Sequence, residues 1–362
     1  MVPAPGQIGG PGCGPRAAGV CTRTGDQKQG RKYGMLYVSI VSIIVRQRKQ
    51  MWTKPYYSFD TYCKERFGGK IYKLTLNGGM TCPNRDGSLG TGGCIFCSNG
   101  GSGDFAEPLL PGRSVAEQLK AAKERVRSKT AGAKDCRYIA YFQSFTNTYA
   151  PVSYLKPLFS AAMEPPEIVG LSIATRPDCL PPDVLDLLTA LSRRKTVWVE
   201  LGLQTMHQRT ADLIRRGYAL SCFEQAVSAL SAREIPVVVH VILGLPGENQ
   251  NDMLETARYV GRLPVHGIKL QLLHVLKNTE LEKQYLQGKV HVMTEQAYID
   301  TLLACIECLP PALVIHRLTG DGPKQQLIAP LWSGDKKHVL NAIHHQMHIR
   351  GCFQGRTFLP RN

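Results

Sequence analysis

Three cysteines in one glycine-rich stretch, Cys82, Cys94 and Cys97, have the types and spacing most suited to chemistry. Three thiolates from one loop can bind three irons of a [4Fe–4S] cluster and leave the fourth iron open to another ligand. Glycines between them, such as Gly87 and Gly93, let the backbone fold tightly enough for amide N–H groups to point at sulfur. The stretch therefore predicts a cluster with a reactive open iron rather than a fully ligated electron carrier.

Other uses of these cysteines agree less well with the sequence. A zinc ribbon needs a fourth ligand, commonly from a second Cys-x-x-Cys or a His pair, and none is close in sequence. A disulfide is disfavoured because nothing else suggests export. A further close pair, Cys305 and Cys308, lies in an apolar helical pattern, which favours core packing over a redox pair or a second cluster.

The composition is that of a globular protein with a basic bias. The chain has 362 residues, of which 43% are hydrophobic, and a formal net charge of +16. Residues 1–50 hold eight Lys/Arg and a single acid, Asp26, so seven of these charges fall there and about nine on the remainder. A moderate excess of this kind favours a polyanionic partner such as RNA, although solvated surface lysines produce the same value.

Residues 1–50 differ from the rest of the chain. Up to Gly34 they are rich in Gly, Pro, Gln and Arg without apolar periodicity, which predicts disorder. The apolar run over residues 35–45 is too short to span a bilayer, and no small-residue cleavage site follows it. We expect residues 1–50 to be a disordered extension or the product of a misassigned start, with Met51 opening a cytoplasmic protein that has no membrane contact.

From Lys70 onward, apolar strands alternate with amphipathic helices. Six strands are predicted to begin near Ile71, Tyr138, Ile168, Val197, Val237 and Gly267. Such βα units form a parallel sheet, either doubly wound or as a partial barrel. A dinucleotide-binding doubly wound sheet needs Gly-x-Gly-x-x-Gly at the first turn, where this chain has its cysteine loop. We therefore predict an α/β fold: a partial (β/α)6 TIM-type barrel over residues 57–310, capped by an α/β extension over residues 311–362.

Polar residues follow several predicted strands. In barrels the chemistry gathers at the carboxyl ends of the strands, so these residues are expected to face the same mouth as the cysteines. They are Gln143, Asn147, Thr175, Arg176, Gln204 and Gly244. Each alone has a structural explanation, such as a turn with an Asx cap at residues 175–178, but the whole set is better explained by a site.

The three-cysteine loop, ending in Cys-x-Phe-Cys, resembles that of the radical S-adenosylmethionine (SAM) superfamily. The eleven residues between Cys82 and Cys94 depart from the commoner Cys-x3-Cys-x2-Cys. This spacing is similar to that of the YhcC/YtqA-type family of predicted Fe–S oxidoreductases, which is related to the Elongator catalytic subunit. Further similar stretches are residues 73–79, 141–143, 175–178, 200–205, 244–248, 269–274 and 327–332. The resemblance covers roughly residues 57–359.

The resemblance implies an enzyme in which Cys82, Cys94 and Cys97 ligate a [4Fe–4S] cluster and SAM chelates the open iron. One electron would cleave SAM to methionine and a 5′-deoxyadenosyl radical, which abstracts hydrogen from the substrate. The implied SAM contacts are Phe96, Ile242 and Gly244 for the adenine, Gln143 and Asn147 for the methionyl amine, Glu200 and Gln204 for ribose hydroxyls or the carboxylate, and Thr175 and Arg176. Alternatively, Glu200 is a structural acid paired with Arg176.

The resemblance also implies a substrate. Similar proteins have been linked to wobble-uridine modification in tRNA, in which a carboxymethylaminomethyl side chain loses its carboxymethyl group. Residues 193–195 and 215–216 are candidate phosphate contacts or else solvated helix ends, and Arg317 and Lys324 are candidates for a substrate phosphate or carboxylate. A flavodoxin or ferredoxin would donate the electron. The alternatives are a radical SAM enzyme for a small metabolite or peptide, and an Fe–S electron-transfer or sensor protein that never cleaves SAM.

Overall fold

The computed structural model of the protein describes residues 54–130, 135–320 and 322–360. The predicted extension over residues 1–50 and the proposed start at Met51 lie outside these residues. Seven parallel strands form one sheet in the order β1 (Ile71–Leu76), β2 (Arg137–Phe142), β3 (Ile168–Thr175), β4 (Thr196–Gln204), β5 (Val237–Leu243), β6 (Gly267–Leu272) and β8 (Val314–Arg317). A short antiparallel pair joins β7 (Val275–Leu276) to β9 (Leu327–Ala329). Since sheet order follows chain order, the sheet curls into a half-barrel, which confirms the predicted α/β class.

Helices connect the strands and cover the outer face of the sheet. They are α1 (Phe59–Phe67), α2 (Val115–Thr130), α3 (Val152–Met163), α4 (Pro182–Ser192), α5 (Gln208–Leu213), α6 (Leu220–Ser231), α7 (Gln250–Val260), α8 (Glu280–Leu286), α9 (Glu295–Cys308) and α10 (Lys336–Ile349). Along β4, successive side chains point to opposite faces of the sheet. Val197, Val199 and Leu201 are buried in the main core with residues of the helices, whereas Trp198 and Glu200 point to the interior of the barrel.

Helix α1 packs against both edge strands, β1 and β8. Its rings of Phe59 and Tyr62 meet Trp198 edge-on, with centroids 6.3 and 6.4 Å away. Trp198 belongs to a separate apolar cluster inside the barrel with Ile139 and Val238. The amino end of the barrel is thereby filled with apolar side chains, so the polar interior begins one layer higher.

Cys305 and Cys308 lie on the buried side of α9, in the main core. The Sγ of Cys308 donates to the carbonyl of Cys305 at 3.1 Å. Burial raises the pKa of the Cys308 thiol to about 11, which opposes the thiolate that iron requires. The expected core packing of this pair is confirmed. Among the described helices, none has the length and apolar content needed to cross a membrane.

Candidate active site

A cavity of about 250 Å³ opens at the carboxyl ends of the strands. The three cysteines of the loop between β1 and α2 line it. Seven of the predicted SAM-contacting residues line it as well: Phe96, Gln143, Thr175, Arg176, Glu200, Gln204 and Ile242. Strand ends and the cysteine loop therefore meet at one mouth, as a barrel architecture requires.

The cysteine loop is shaped by backbone hydrogen bonds and by glycines with positive φ. The amide of Gly93 donates to the carbonyl of Asn84 at 2.7 Å, and that of Cys97 donates to Cys94 at 3.0 Å. Gly93 has φ +71°, and a Cβ there would come within 2.9 Å of Nε of Arg85. Only glycine fits this position without displacing the Arg85 side chain, so the glycine-rich sequence follows from the tight loop.

Asn84 attaches this loop to the barrel, and Arg85 links two parts of the loop to each other. The Nδ2 of Asn84 donates to the carbonyls of Arg215 at 2.8 Å and Arg216 at 3.2 Å, and it lies 3.6 Å from the Sγ of Cys94. The Nη2 of Arg85 donates to the carbonyl of Cys97 at 3.0 Å. The loop is thus attached to the segment after β4, and neither residue could be identified from the sequence beyond its place between cysteines.

The donor set fits a [4Fe–4S] cluster better than a single zinc ion. Three sulfurs around one tetrahedral zinc would lie about 3.8 Å apart, given Zn–S bonds of about 2.3 Å. Among the described residues, Cys82, Cys94 and Cys97 do not form such a close trio, since their sulfurs are not all within 4.8 Å of one another. Burial, together with the neighbouring Cys97 and Cys82, raises the pKa of the Cys94 thiol to about 12. A buried thiol that resists ionisation by itself suits an iron cofactor that supplies the compensating positive charge.

The middle of the barrel holds a ring of polar side chains around Glu200, which is 1% exposed. Its Oε1 accepts from Nζ of Lys73 at 2.7 Å and from Oγ of Ser172 at 2.6 Å. Its Oε2 accepts from the Tyr141 hydroxyl at 2.9 Å and from Nζ of Lys269, and it lies 2.7 Å from Nε2 of His240. Donors from β1, β2, β3, β5 and β6 therefore converge on one carboxylate of β4. Five donors fill the roughly four lone-pair sites of a carboxylate, so a ribose hydroxyl would have to displace one of them.

The ring contains one ionised carboxylate, and the pKa values of two basic groups beside it, Lys269 and His240, are lowered. Burial raises the pKa of Glu200, but Lys269 and Lys73 outweigh burial and hold it well below the ordinary range. Burial lowers the pKa of Lys269 to about 7 and that of His240 to about 4. Arg317 on β8 also faces the cavity and lowers the pKa of Lys269. One carboxylate therefore contacts two lysines, and Arg317 lies near one of them.

The expected pair between Glu200 and Arg176 is wrong. Arg176 instead binds Asp178 through two nitrogens, at 2.9 and 2.7 Å, and lies over the ring of Tyr218. The paired donors of a guanidinium fit the nearby carboxylate of Asp178, whereas the carboxylate of Glu200 is already buried among lysines. Arg176 also donates to the carbonyl of Arg216 at 3.0 Å, so it supports the same segment that holds Asn84.

Arg216 is buried and does not contact solvent as a phosphate ligand would. Its guanidinium donates to the carbonyls of Leu203, Thr205 and Tyr218 at 2.7 to 3.2 Å. The candidate residues 193–195 precede β4, so they lie at the amino end of the strands, away from the mouth. There Lys195 donates to the carbonyls of Met163 and Pro165, and Arg194 binds Glu164. At this end of the barrel Lys195 is therefore bound to backbone carbonyls and Arg194 to a carboxylate, while the role of residues 193–195 toward phosphate stays a prediction.

Comparison with known proteins agrees with this geometry. The family model described as the radical SAM superfamily matches residues 82–260, and that of the radical SAM C-terminal domain matches residues 265–348. YtqA of Bacillus subtilis (strain 168) is 46% identical over 305 residues, which cover 84% of this chain and 93% of YtqA. The chain belongs to the radical SAM superfamily. As a radical SAM enzyme it uses a [4Fe–4S] cluster and SAM, for which Cys82, Cys94 and Cys97 are the fitting iron ligands.

Two proteins are more distantly similar to this chain, and the matches cover only part of their lengths. The archaeal Elp3 of Methanocaldococcus infernus, with residues 1–46 deleted, shares the fold with a TM-score of 0.59 at 17% identity; the match covers 78% of this radical SAM chain and 64% of that one. The tRNA uridine(34) acetyltransferase of Methanocaldococcus jannaschii is 24% identical over 179 residues, which cover 48% of this chain and 32% of that protein. The structural likeness at this identity establishes the fold alone.

Two predicted SAM contacts of this radical SAM enzyme lie outside the lining of the main cavity. Asn147 is fully buried, and its Nδ2 donates to the carbonyl of Ala174 at 2.9 Å, at the end of β3. Gly244 has φ +86° and lines a second cavity, where a Cβ would come within 3.0 Å of Met293. Their roles toward SAM stay predictions. Conversely, the radical SAM cavity contains Lys269, Tyr141 and His240, which the sequence reasoning did not single out as site residues.

Proposed function

We propose that this radical SAM enzyme modifies the wobble uridine of tRNA at a side chain of the carboxymethylaminomethyl type. The observation that carries the proposal is the charge beside the cavity, where Lys73 and Lys269 both contact the single carboxylate of Glu200. An excess of buried positive charge suits a substrate group that is itself anionic. The relatives named for Elp3 and for tRNA uridine(34) support the class of RNA and the position.

The rim of the cavity supports an RNA partner. Arg215, Lys277 and Lys324 are exposed and follow strands β4, β7 and β8. None of the three lies within salt-bridge distance of a carboxylate in the described part of the chain. Arg215 is beside the cysteine loop, with its Nη1 3.7 Å from the Cβ position of Gly92, and the amide of Lys277 donates to Gln326 at 2.8 Å. Cations of this kind contact phosphates without reading sequence.

The chain's own residues would divide the work as follows. Bound together, the cluster and SAM supply a carbon-centred radical that removes hydrogen from the substrate. Cys82, Cys94 and Cys97 hold the iron, while Asn84 and Arg85 fix the loop that carries them. The ring around Glu200 holds the Lys269 ammonium at the cavity wall, where it would orient the anionic end of the uridine side chain before reaction. A flavodoxin or ferredoxin is the proposed electron donor.

Anaerobic reconstitution with iron and sulfide, followed by dithionite and SAM, tests this function. 5′-Deoxyadenosine and the tRNA nucleosides are measured with tRNA that carries 5-carboxymethylaminomethyluridine and with tRNA that lacks it. We expect 5′-deoxyadenosine and loss of the modified nucleoside together, for wild type but not for Cys94→Ala. Cys222→Ala, at a half-buried cysteine outside the cavity, is the matched control. SAM cleavage without any change in the tRNA would refute the RNA assignment.

A further inference from the structure

Arg216 is a buried cation in the wall of the cavity, with 1% of its surface exposed. Its Nε and Nη2 donate to the carbonyl of Tyr218 at 3.2 and 3.0 Å. Its Nη1 donates to the carbonyls of Leu203 and Thr205, and Nη2 also lies 3.4 Å from Oε1 of Gln208. A guanidinium has five N–H donors, and these contacts use all five. Arg216 therefore has no donor left for a ligand, and its charge acts on the cavity through space.

The acceptors around Arg216 do not neutralise it. All of them are neutral oxygens, and no carboxylate of the described residues forms a salt bridge with this guanidinium. Asp212 on α5 is exposed, and it is linked to Arg216 only through Gln208, whose Nε2 donates to the Asp212 carboxylate at 2.7 Å. Buried charges without a partner are costly, and buried arginines are normally paired. The burial of Arg216 therefore requires a counter-charge from another source.

The other two arginines of the cavity near the cysteines differ from Arg216. The guanidinium of Arg176 lies over the same ring of Tyr218, 4.8 Å from the centroid against 4.7 Å for Arg216. However, Asp178 binds Arg176 through two nitrogens, so the charge of this pair is largely cancelled. Arg85 binds only backbone carbonyls, but it is half-buried, so nearby water weakens its field. Of these three arginines, Arg216 is the one with a buried and uncompensated charge.

Arg216 lies beside the cysteines that bind the cluster. Nδ2 of Asn84 is 3.6 Å from Sγ of Cys94 and 3.2 Å from the carbonyl of Arg216, so one amide spans the two residues. Burial lowers the pKa of Arg216, and Tyr218, Asp212 and Cys94 oppose this shift. Three thiolates outweigh the positive charge of a [4Fe–4S] core, so the ligated cluster is anionic and becomes more so when it is reduced. A cluster at these cysteines would supply the missing counter-charge.

We infer that the buried charge of Arg216 compensates the iron–sulfur cluster and raises its reduction potential. Reduction adds one electron to the cluster, and a fixed positive charge nearby favours the more negative state. The electron comes from a low-potential flavin or iron–sulfur donor, and no covalent bond of the chain is made or broken. Arg216 has no donor free for substrate or SAM, so it is a positioning residue. The inference concerns the cluster alone and goes beyond the proposed tRNA function.

A redox titration of the reconstituted holoenzyme without SAM measures this effect. The midpoint potential is read from the electron paramagnetic resonance signal of the reduced cluster, and iron content is measured on the same samples. We expect Arg216→Gln to shift the equilibrium about 10-fold toward the oxidised cluster, which lowers the potential by about 59 mV for one electron. Arg262→Gln, which removes the same charge from an exposed arginine before β6, should shift it less than about 2-fold.

Two further variants separate the charge of Arg216 from its contacts. Asp178→Asn leaves the guanidinium of Arg176 without its counter-charge and should shift the equilibrium about 3- to 10-fold toward the reduced cluster, the opposite sign. Arg216→Lys keeps the charge but loses most of the carbonyl contacts. It should lower the melting temperature while shifting the equilibrium less than about 3-fold. Both variants carry the test if Arg216→Gln does not retain iron.

Three results would overturn the inference. The first is a wild-type potential in Arg216→Gln with full iron content, or a potential that Asp178→Asn leaves unchanged or lowers. The second is a shift in Arg216→Lys as large as that in Arg216→Gln, since contacts rather than charge would then set the potential. The third is a shift that appears only when SAM is present, which would assign Arg216 to the methionyl carboxylate. None of these results involves tRNA, so the potential and the tRNA function are tested separately.

Discussion

The Nζ of Lys73 on β1 and the Oε1 of Glu200 on β4 lie 2.7 Å apart, across the interior of the half-barrel. This salt bridge joins an edge strand to the central strand of the seven-stranded sheet. Glu200 has 0% side-chain exposure, and Lys73 also lies over the rings of Phe59 and Tyr141. The carboxylate is withdrawn from water while Lys73 is only partly buried, so the salt bridge compensates the buried charge of Glu200 and holds the two strands together across the interior.

Glu200→Gln should lower the free energy of unfolding by about 3–5 kcal/mol, since it leaves Lys73 and Lys269 buried without their counter-charge. Lys269 and Lys73 hold the pKa of Glu200 well below the ordinary range against the effect of burial. The Glu200 carboxylate therefore contributes its full stabilisation above about pH 4.3, the pKa of a glutamate in the unfolded chain. This stabilisation is lost as pH falls through the lower pKa of the folded state.

Urea unfolding under anaerobic conditions at pH 6 and pH 3 measures this effect. Glu164→Gln is the control, because Glu164 is exposed and its pair with Arg194 should contribute less than about 1 kcal/mol. Equal losses from the two variants, or a loss from Glu200→Gln that does not shrink at pH 3, would contradict a buried ion-pair network.

Iron content should separate the two groups of cysteines. We expect about four irons per chain in the reconstituted wild type, loss of the cluster absorption in Cys94→Ala, and unchanged iron in Cys308→Ala, whose thiol is 5% exposed in the core. Cys308→Ala should instead lower the melting temperature, because it leaves a small cavity. An iron count near eight that falls to four in Cys308→Ala would show a second cluster.

The βα order and the mouth of the barrel followed from sequence because both are local. Strands of β-branched residues such as those of β5 alternate with capped helices, and the carboxyl ends of parallel strands must meet at one edge. The positive-φ turns at Gly87 and Gly93 are equally local properties of the cysteine loop. Cys82, Cys94, Cys97 and most strand-end residues could therefore be placed at one cavity before the fold was known.

The ring around Glu200 could not be placed in this way, because Lys73, Tyr141 and Lys269 come from strands that are not adjacent to β4. Lys73, Tyr141 and Lys269 each stand in an apolar strand, where a lone polar residue signals an inward position. Which inward residues share a layer depends on the register between strands, and bulges shift that register at Ile139, Gln204 and Lys269. The alternative pairing of Glu200 with Arg176 is wrong because Arg176 follows β3, two positions beyond Ala174, the register partner of Glu200.

Asn84→Ala should make the cluster easier to lose. The Asn84 amide links the cysteine loop to the carbonyls of Arg215 and Arg216, and its removal leaves the loop held by fewer bonds. We expect iron to be extracted by a chelator several times faster than from wild type, with the same initial iron content. Ser88→Ala, which removes an exposed hydroxyl contact of the same loop with Tyr149, is the matched control. Equal extraction rates for all three proteins would show that Asn84 does not hold the loop.

The exposed cations at the mouth should dominate tRNA binding, and those at the amino end of the barrel should not. Replacing Arg215, Lys277 and Lys324 together by alanine should weaken tRNA affinity about 10-fold or more and reduce the slope of log affinity against log salt by up to about 3, since each phosphate contact releases roughly one counterion. The matched variant replaces Arg193, Arg194 and Arg262, which are exposed and precede β4 or β6, so it removes the same formal charge from the opposite end. If both variants lose the same affinity and slope, net charge alone attracts tRNA and the mouth is not its docking surface.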